Sequence, residues 1–301
     1  MWVNYEEGLF NAFLFLYLHA LASDSDLALS LNSVVGSSGE ANSDMGTKTA
    51  VQTYMLTNRT LPDSPTMNLQ VLLGSDNLHF THSELLQVRV SNVYLPEQLT
   101  DPMKASIKVS KRGSVYTNPD LYIELTFNGS KYFTEIELKS TNNNSIPGSS
   151  VQQINLRGWL IFIKKKKNSD GPVQIATGLY AGSIAEKMPF PDRSPRPKVA
   201  FNTLHTWNET NLILKSDGYV LSYDESEIAA KEILIGDWRQ ALVSNWMAIV
   251  FDKNLSLKPT SPWFTKVITM FSSQLIEKYE CLSDLEKHEF RRYLSSILAN
   301  K

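Results

Sequence analysis

Hydrophobic and polar residues alternate in two neighbouring runs in the middle of the chain, Leu121–Phe127 and Tyr132–Leu138. Alternation with a period of two is typical of a β-strand that turns one face towards a core. Asn128 and Gly129 lie between the two runs. Because both residues tolerate positive φ, this pair is a strong signal for a tight turn. The pattern therefore predicts a β-hairpin.

The apolar segments after the hairpin predict an α/β fold, with a mixed β-sheet core and flanking helices. Further strands are expected at Gly158–Ile163 and Val173–Tyr180, and a helix at Pro147–Arg157 between the hairpin and these strands. The order strand, turn, strand, helix, strand is typical of a mixed sheet covered by helices.

Helical patterns at both ends of the chain surround this core. We predict a single domain, with the core at about residues 100–210, a helical N-terminal part at 1–68 and a helical C-terminal part at 225–301. Individual helices are expected at Ser43–Leu56, Glu225–Ala248 and Pro262–Leu298, the last of them broken near Cys281.

A continuous apolar run, Leu9–Leu21, lies near the N-terminus. It follows Glu6 and Glu7, whereas a secretion signal carries Lys or Arg at this place. The run is also too short to cross a bilayer comfortably. We therefore expect a buried helix. The single cysteine, Cys281, fits a reducing cytoplasmic setting.

Positive charge is concentrated in the middle third of the sequence. The formal net charge of the whole chain is −2. Residues 101–200 nevertheless hold 15 Lys and Arg against 8 Asp and Glu, whereas residues 1–100 hold 3 against 10. A local basic surface is what neutralisation of nucleic-acid phosphates needs, whatever the overall charge. For Lys164–Lys167 alone, a solvated lysine-rich face is an equal alternative.

The hairpin also carries a group of charged residues whose register the turn decides. If the turn has two residues, Phe127 faces Ser130 and Asp120 faces Glu137. Because side chains alternate along a strand, Asp120, Glu137 and Lys139 then project from one face. A four-residue loop would keep that face but set Asp120 opposite Lys139, and a three-residue loop would break the arrangement.

Two carboxylates that face each other across a strand pair lie roughly 5 Å apart at Cβ and repel each other. A cation between them removes this repulsion, and a small set of hard oxygen ligands suits Mg²⁺. With Lys139 beside them, Asp120 and Glu137 have the chemistry that phosphodiester hydrolysis requires. The alternative is that these residues, like Glu124 and Glu135 on the same face, only decorate the solvated side of a sheet.

Pro119-Asp120 followed by Glu137-Leu138-Lys139 resembles the signature of the PD-(D/E)xK nuclease superfamily, which includes many type II restriction endonucleases. The resemblance covers roughly residues 104–180 and implies a restriction-endonuclease-like fold. It also implies that Asp120, Glu137 and the backbone carbonyl of Leu138 bind Mg²⁺ and that Lys139 orients or activates water. Members often add a glutamate from an earlier helix, for which Glu84 is the candidate and Glu40 the reserve.

Several segments around the hairpin are candidates for DNA binding. A Gly-Ser-Ser helix entry exposes N–H groups that favour a phosphate, and amides can bond a phosphate or a base edge. Basic residues before the hairpin and in the Pro-rich stretch 189–207 would contact phosphates or bases. The candidates are Lys104, Lys108, Lys111, Arg112, Ser149, Ser150, Gln152, Gln153, Arg193, Arg196 and Lys198.

The function that the resemblance favours is a type II restriction endonuclease of a prokaryotic cell. It would act on double-stranded DNA as a homodimer, with a companion DNA methyltransferase acting separately. A structure-selective repair or recombination nuclease and a non-enzymatic DNA-binding protein are the alternatives.

The stretch from Gly39 to Lys48 is excluded as a phosphate-binding loop, because six residues separate Gly39 from Gly46 where that loop has four.

Overall fold

The computed structural model of the chain describes residues 4–35, 40–63, 68–73, 76–110, 119–151, 154–165, 172–185, 196–236, 238–251 and 263–299. These residues form mixed α/β structure in two compact units. The first unit is residues 1–188 with 196–236, and the second is residues 189–195 with 237–301. The sequence predicted one domain, and the division follows from the last helices contacting one another more than the remainder of the chain.

The strands are β1 (Leu69–Leu73), β2 (Asp76–Phe80), β3 (Arg89–Tyr94), β4 (Leu121–Phe127), β5 (Ser130–Thr141), β6 (Ser145–Pro147), β7 (Trp159–Lys164), β8 (Gln174–Leu179), β9 (Lys198–Ala200), β10 (Leu212–Lys215) and β11 (Gly218–Ser222). The helices of the first unit are α1 (Tyr5–Ala22), α2 (Ser25–Val35), α3 (Glu40–Thr57), α4 (His82–Leu85), a 3₁₀ turn at Pro96–Gln98, α5 (Asp101–Ser110), α6 (Tyr180–Ser183), α7 (Phe201–Asn211) and α8 (Glu225–Gly236). Those of the second unit are α9 (Trp238–Phe251), α10 (Trp263–Glu280) and α11 (Asp284–Ala299).

Among the described residues, a five-stranded mixed sheet in the order β3-β4-β5-β7-β8 forms the centre of the first unit. Its neighbours are antiparallel except for β5 and β7, which are parallel. A four-stranded sheet has the order β10-β11-β1-β2, and β6 pairs with β9 in a short antiparallel ribbon. The expected mixed sheet with flanking helices is confirmed at this level.

The predicted hairpin forms with the predicted register. Phe127 pairs with Ser130, and the ladder continues to Leu121 opposite Ile136. Asn128 and Gly129 have φ values of 48° and 85°, the left-handed conformation that a tight two-residue turn requires. The turn thus fixes which side chains share a face of the sheet.

Helix α1 covers the apolar face of the five-stranded sheet. Phe10 stacks on Tyr132 of β5, and Phe15 packs edge-on against Trp159 of β7. The other side of α1 meets α3, where the Tyr17 hydroxyl donates to the carbonyl of Asn58. Because both sides are buried, the helix is apolar all round. The expectation of a buried N-terminal helix is confirmed.

No single helix in the described part of the chain is long and apolar enough to cross a bilayer. The bent pair Tyr5–Ala22 and Ser25–Asn32 passes the test together, by length and composition alone.

The opposite, polar face of the sheet is covered at two places. At the β8 end, α7 approaches so closely that a Cβ at Gly178 would lie 3.1 Å from Leu204 Cδ1. At the β4 end, Leu99 packs with Tyr122, and Phe133 of β5 lies against this pair. The central part of β5 lies between these two layers.

The helix predicted at Pro147–Arg157 is wrong for the residues described there. Ser145–Pro147 is strand β6, paired with β9, and the chain then passes through turns to β7. A single helical hydrogen bond, from the Ile154 amide to the Ser150 carbonyl, is all that the described part of this segment retains. Contacts with other parts of the chain hold this segment instead: the Gly148 amide donates to the Pro197 carbonyl, the Ser149 amide to the Tyr180 hydroxyl, and the Leu156 carbonyl accepts from the Ala181 amide.

The terminal helices agree with the prediction in part. Helix α3 covers the expected Ser43–Leu56, and the break near Cys281 separates α10 from α11. The expected helix Glu225–Ala248 is divided into α8 and α9. Within the second unit α9 contacts α10, and four apolar residues of α10 are exposed, namely Val267, Met270, Phe271 and Leu275.

Burial of α1 predicts a large loss of stability on truncation of Leu16, whose side chain is fully buried. We expect Leu16→Ala to lower the free energy of unfolding by about 3 kcal/mol, because it removes apolar contacts and leaves a cavity. Leu29→Ala on α2 is the matched control, since Leu29 is 52% exposed and should change stability little. Urea denaturation of both variants measures the difference, and equal losses would contradict the burial of α1.

Candidate active site

Asp120 and Glu137 face each other at the open end of the hairpin. The ladder pairs Leu121 with Ile136, so the next position outward sets Asp120 opposite Glu137. The Leu138 amide donates a 2.7 Å hydrogen bond to Oδ2 of Asp120. The carboxylate of Asp120 is therefore fixed to the backbone of the strand that carries Glu137.

Each of the two carboxylates is paired with a lysine. Lys139 Nζ lies 2.6 Å from Oε1 of Glu137, and Lys48 Nζ lies 2.8 Å from Oδ1 of Asp120. All four side chains are between 16% and 19% exposed. The two ammonium groups balance the two carboxylate charges, which removes the repulsion expected between the acids.

Ser149 and Tyr180 hold Glu137 from the side of β7 and β8. The Ser149 hydroxyl donates to Oε1 of Glu137, and the Ser149 amide donates to the Tyr180 hydroxyl at 2.9 Å. Burial raises the pKa of Tyr180, and the charge of Glu137 raises it further, so the phenol stays neutral. Gly148 permits this contact, because a Cβ there would lie 2.5 Å from the Tyr180 hydroxyl oxygen.

A cleft with an empty volume of about 300 Å³ opens beside Glu137. Its walls include the polar groups of Glu135, Ser149 and Asn155 and the rings of Trp159 and Tyr180. It lies where neither α7 nor the cluster of Leu99 and Tyr122 covers β5. The side chain of Glu137, which is 19% exposed, is thus one of those that line the cleft.

Glu124 and Glu135 lie on the polar face of the sheet, but they are buried and do not form a solvent-exposed surface. Both are 5% exposed. Glu135 accepts a 2.7 Å hydrogen bond at Oε1 from the side-chain amide Nδ2 of Asn155. Glu124 accepts from Ser91 and Tyr94 and pairs with Lys131 at 3.0 Å. The interpretation of this face as a wet surface is wrong for these two residues.

The oxygen atoms available in this site are of the type that binds a magnesium ion. Asp120 and Glu137 offer hard carboxylate oxygens, and no described residue donates a hydrogen bond to Oε2 of Glu137. Within the described ranges no three His, Cys, Asp or Glu side chains are grouped to hold a metal by themselves. An ion bound here would therefore use two carboxylates and complete its shell with the Leu138 carbonyl, water or phosphate, as Mg²⁺ commonly does.

Arg196 and Lys198 lie next to this site. Both are exposed, and they flank Pro197, whose carbonyl accepts a 2.6 Å hydrogen bond from the Gly148 amide. The charge of Arg196 acts on Tyr180. The structure thus brings two of the predicted DNA-binding residues to the loop that carries Ser149.

Of the other predicted DNA-binding residues, the structure describes the side chains of Lys104 and Ser150. Lys104 on α5 is exposed, and its Nζ lies 3.7 Å from Oδ1 of Asp101. Ser150 is half-buried in the loop after β6. The side chain of Lys108 lies outside the described part of the chain, as do Lys111, Arg112, Gln152, Gln153 and Arg193.

Glu84, the predicted additional catalytic glutamate, has another role in the structure. Its carboxylate caps the first turn of α4 by accepting from the Thr81 amide and hydroxyl, and it accepts from the Tyr5 hydroxyl at 2.5 Å. The hydrogen bonds from Thr81 chiefly lower the pKa of Glu84. None of these contacts connects it to the hairpin acids. Glu40, the reserve, is the first residue of α3, and its side chain is not described.

Lys48 is the site residue that the sequence did not reveal. It lies on α3, within the helix predicted at Ser43–Leu56 and far from the hairpin in sequence. A lysine in the middle of a helix carries no local signal of an ion pair with a distant aspartate. Only the packing of α3 beside β3 shows it.

Because Glu124 is buried and hydrogen-bonded, we expect its charged form to stabilise the fold and this stabilisation to be lost in acid. Burial acts to raise the pKa of Glu124, but hydrogen bonds from Lys131, Ser91 and Tyr94 outweigh it, so the pKa lies below its ordinary value of 4.5. A depressed carboxyl pKa stabilises the fold above that ordinary value, and this contribution is lost as the pH falls through the folded-state pKa.

We therefore expect Glu124→Gln to lower the free energy of unfolding at neutral pH, with the difference from wild type shrinking below pH 4.5. Urea denaturation of both proteins over a series of pH values measures this. A difference that is constant with pH would show that the charge of Glu124 contributes nothing.

The chain was also compared with known proteins. It matches no protein-family model, and no curated protein or solved structure matches it significantly.

Proposed function

We propose that the chain is a magnesium-dependent endodeoxyribonuclease of the PD-(D/E)xK type, with a restriction-endonuclease-like core. The observation that carries the proposal is the convergence of Asp120, Glu137 and Lys139 on one face of a hairpin. Their sequence spacing is that of the family signature, and their register is the one in which the two acids oppose each other.

The residues of the site divide the chemistry of phosphodiester hydrolysis among them. Asp120, Glu137 and the Leu138 carbonyl would hold the ion, which when bound supplies an activated water and stabilises charge on the phosphate. Lys139 lies against Glu137, where its ammonium can orient the water or stabilise the developing negative charge. Ser149 positions the Glu137 carboxylate through its hydroxyl.

The substrate we propose is double-stranded DNA, cut at a specific short sequence as by a type II restriction endonuclease. Exposed Arg196 and Lys198 beside the loop of Ser149 offer phosphate contacts close to the acids. Enzymes that read palindromic sites are commonly two-fold dimers, so a homodimer and a separate protecting methyltransferase belong to this proposal.

One observation favours a second candidate, a DNA-binding protein without catalysis. Lys48 and Lys139 already neutralise both carboxylates, so the fold has no electrostatic need for a metal. Such a protein would bind DNA equally well with and without magnesium.

The deciding experiment is cleavage of unmethylated plasmid and phage DNA with magnesium or with EDTA. We expect discrete magnesium-dependent fragments from the wild type, and a loss of about a hundredfold or more in cleavage rate for Lys139→Ala, because it removes a charge that acts on the reacting phosphate. Lys131→Ala is the matched control, since Lys131 also pairs with a glutamate of the same hairpin but lies at Glu124.

The outcomes separate the candidates. Full activity of Lys139→Ala would remove Lys139 from the mechanism. Cleavage of branched or flapped DNA alone would favour a structure-selective nuclease of the same family. Magnesium-independent binding without cleavage of any substrate would favour the non-enzymatic protein.

A further inference from the structure

Lys48 reaches the candidate active site from a helix that the family signature does not include. Its ammonium lies 2.8 Å from Oδ1 of Asp120, and its side chain is 18% exposed. Helix α3 packs beside β3 at the edge of the sheet, so the lysine approaches Asp120 from outside the hairpin. Lys139, in contrast, belongs to the same strand as Glu137.

The hydrogen bonds of Asp120 make Lys48 a direct competitor of any bound cation. Oδ2 of Asp120 already accepts from the Leu138 amide, and Oδ1 faces Lys48. Each oxygen keeps a second lone pair. Because both oxygens belong to one carboxylate, a cation bound at either of them lies close to the Lys48 ammonium. Two positive charges at one carboxylate repel each other, which favours withdrawal of the ammonium.

We propose that Lys48 couples metal binding to phosphate binding in this site, an inference that rests on the proposed nuclease function. In the metal-free protein Lys48 is the counter-ion of Asp120. When a divalent cation replaces it there, the positive charge beside the two acids increases, and the Lys48 ammonium can turn from Asp120 towards a phosphate of the bound strand. The metal thereby strengthens DNA binding through a residue that it displaces.

A purely structural role predicts something different. If Lys48 only attaches α3 to the sheet, its removal lowers thermal stability and leaves metal affinity unchanged. Lys131 is the matched control for this possibility, because it also pairs with a carboxylate on the polar face, Glu124, at 3.0 Å. Lys48→Arg keeps the charge and is the conservative variant.

The first measurement is Mn²⁺ and Mg²⁺ binding by calorimetry in the absence of DNA. We expect Lys48→Met to bind the ion about fivefold more tightly than wild type, because the competing ion pair is gone. Lys131→Met should bind as the wild type does, and Asp120→Asn should lose the site. Thermal unfolding of each variant shows that the proteins compared are folded.

The second measurement is the affinity for a DNA duplex with Ca²⁺ or with EDTA, which requires no cleavage. We expect Ca²⁺ to strengthen binding by the wild type and by Lys48→Arg. In Lys48→Met this enhancement should be about tenfold smaller, because a charged hydrogen bond to phosphate is missing.

The outcomes distinguish this inference from the proposed function. Metal binding that depends on Asp120 but is the same in Lys48→Met and wild type would overturn the role of Lys48 and leave the nuclease standing. Equal Ca²⁺ enhancement in both proteins would do the same. Absence of any Asp120-dependent metal binding in the wild type would overturn the proposed function itself.

Discussion

Two carboxylates held opposite each other on paired strands impose the constraint on which the site depends. Neither can move away, because pairing of β5 with β7 fixes the backbone of Glu137 and the Leu138 amide fixes the Asp120 carboxylate. Positive charge must therefore come to them. In this fold it comes from Lys139 on the same strand and from Lys48 on α3. The position of α3 beside the sheet is thus an electrostatic as well as a packing requirement.

The two faces of the central sheet are covered to different extents. The apolar face is closed by α1, whose residues are buried on all sides. The polar face is covered only at its two ends, by α7 near β8 and by Leu99 near β4. The uncovered part leaves a cleft that Glu137 and the buried, hydrogen-bonded Glu135 both line, whereas Glu124 is buried against Ser91 and Tyr94 towards β3. Partial cover therefore keeps Glu137 more exposed than its two buried neighbours on this face.

What could be predicted from the sequence was local. The Asn-Gly turn determines the hairpin register, and the register determines that Asp120 and Glu137 oppose each other. The mixed sheet followed from the same short-range patterns. The capping box of Thr81 and Glu84 is also local, because a spacing of three residues is a known helix-start signal. Tertiary contacts decided the remainder: contacts with Pro197 and Tyr180 hold the segment where a helix was expected, and the packing of α3 brought in Lys48. No spacing rule along the chain contains these tertiary contacts.

The site includes residues that lie outside the signature sequence. Some of them are placed by the ribbon of β6 and β9. Gly148 is bonded to Pro197, and Ser149 next to it holds Glu137, while Lys48 holds Asp120 from the other direction. The hairpin with its signature residues is therefore not a transplantable module. Grafted into another sheet, it would carry two acids and one lysine but neither the serine nor the second lysine that set their charge and orientation.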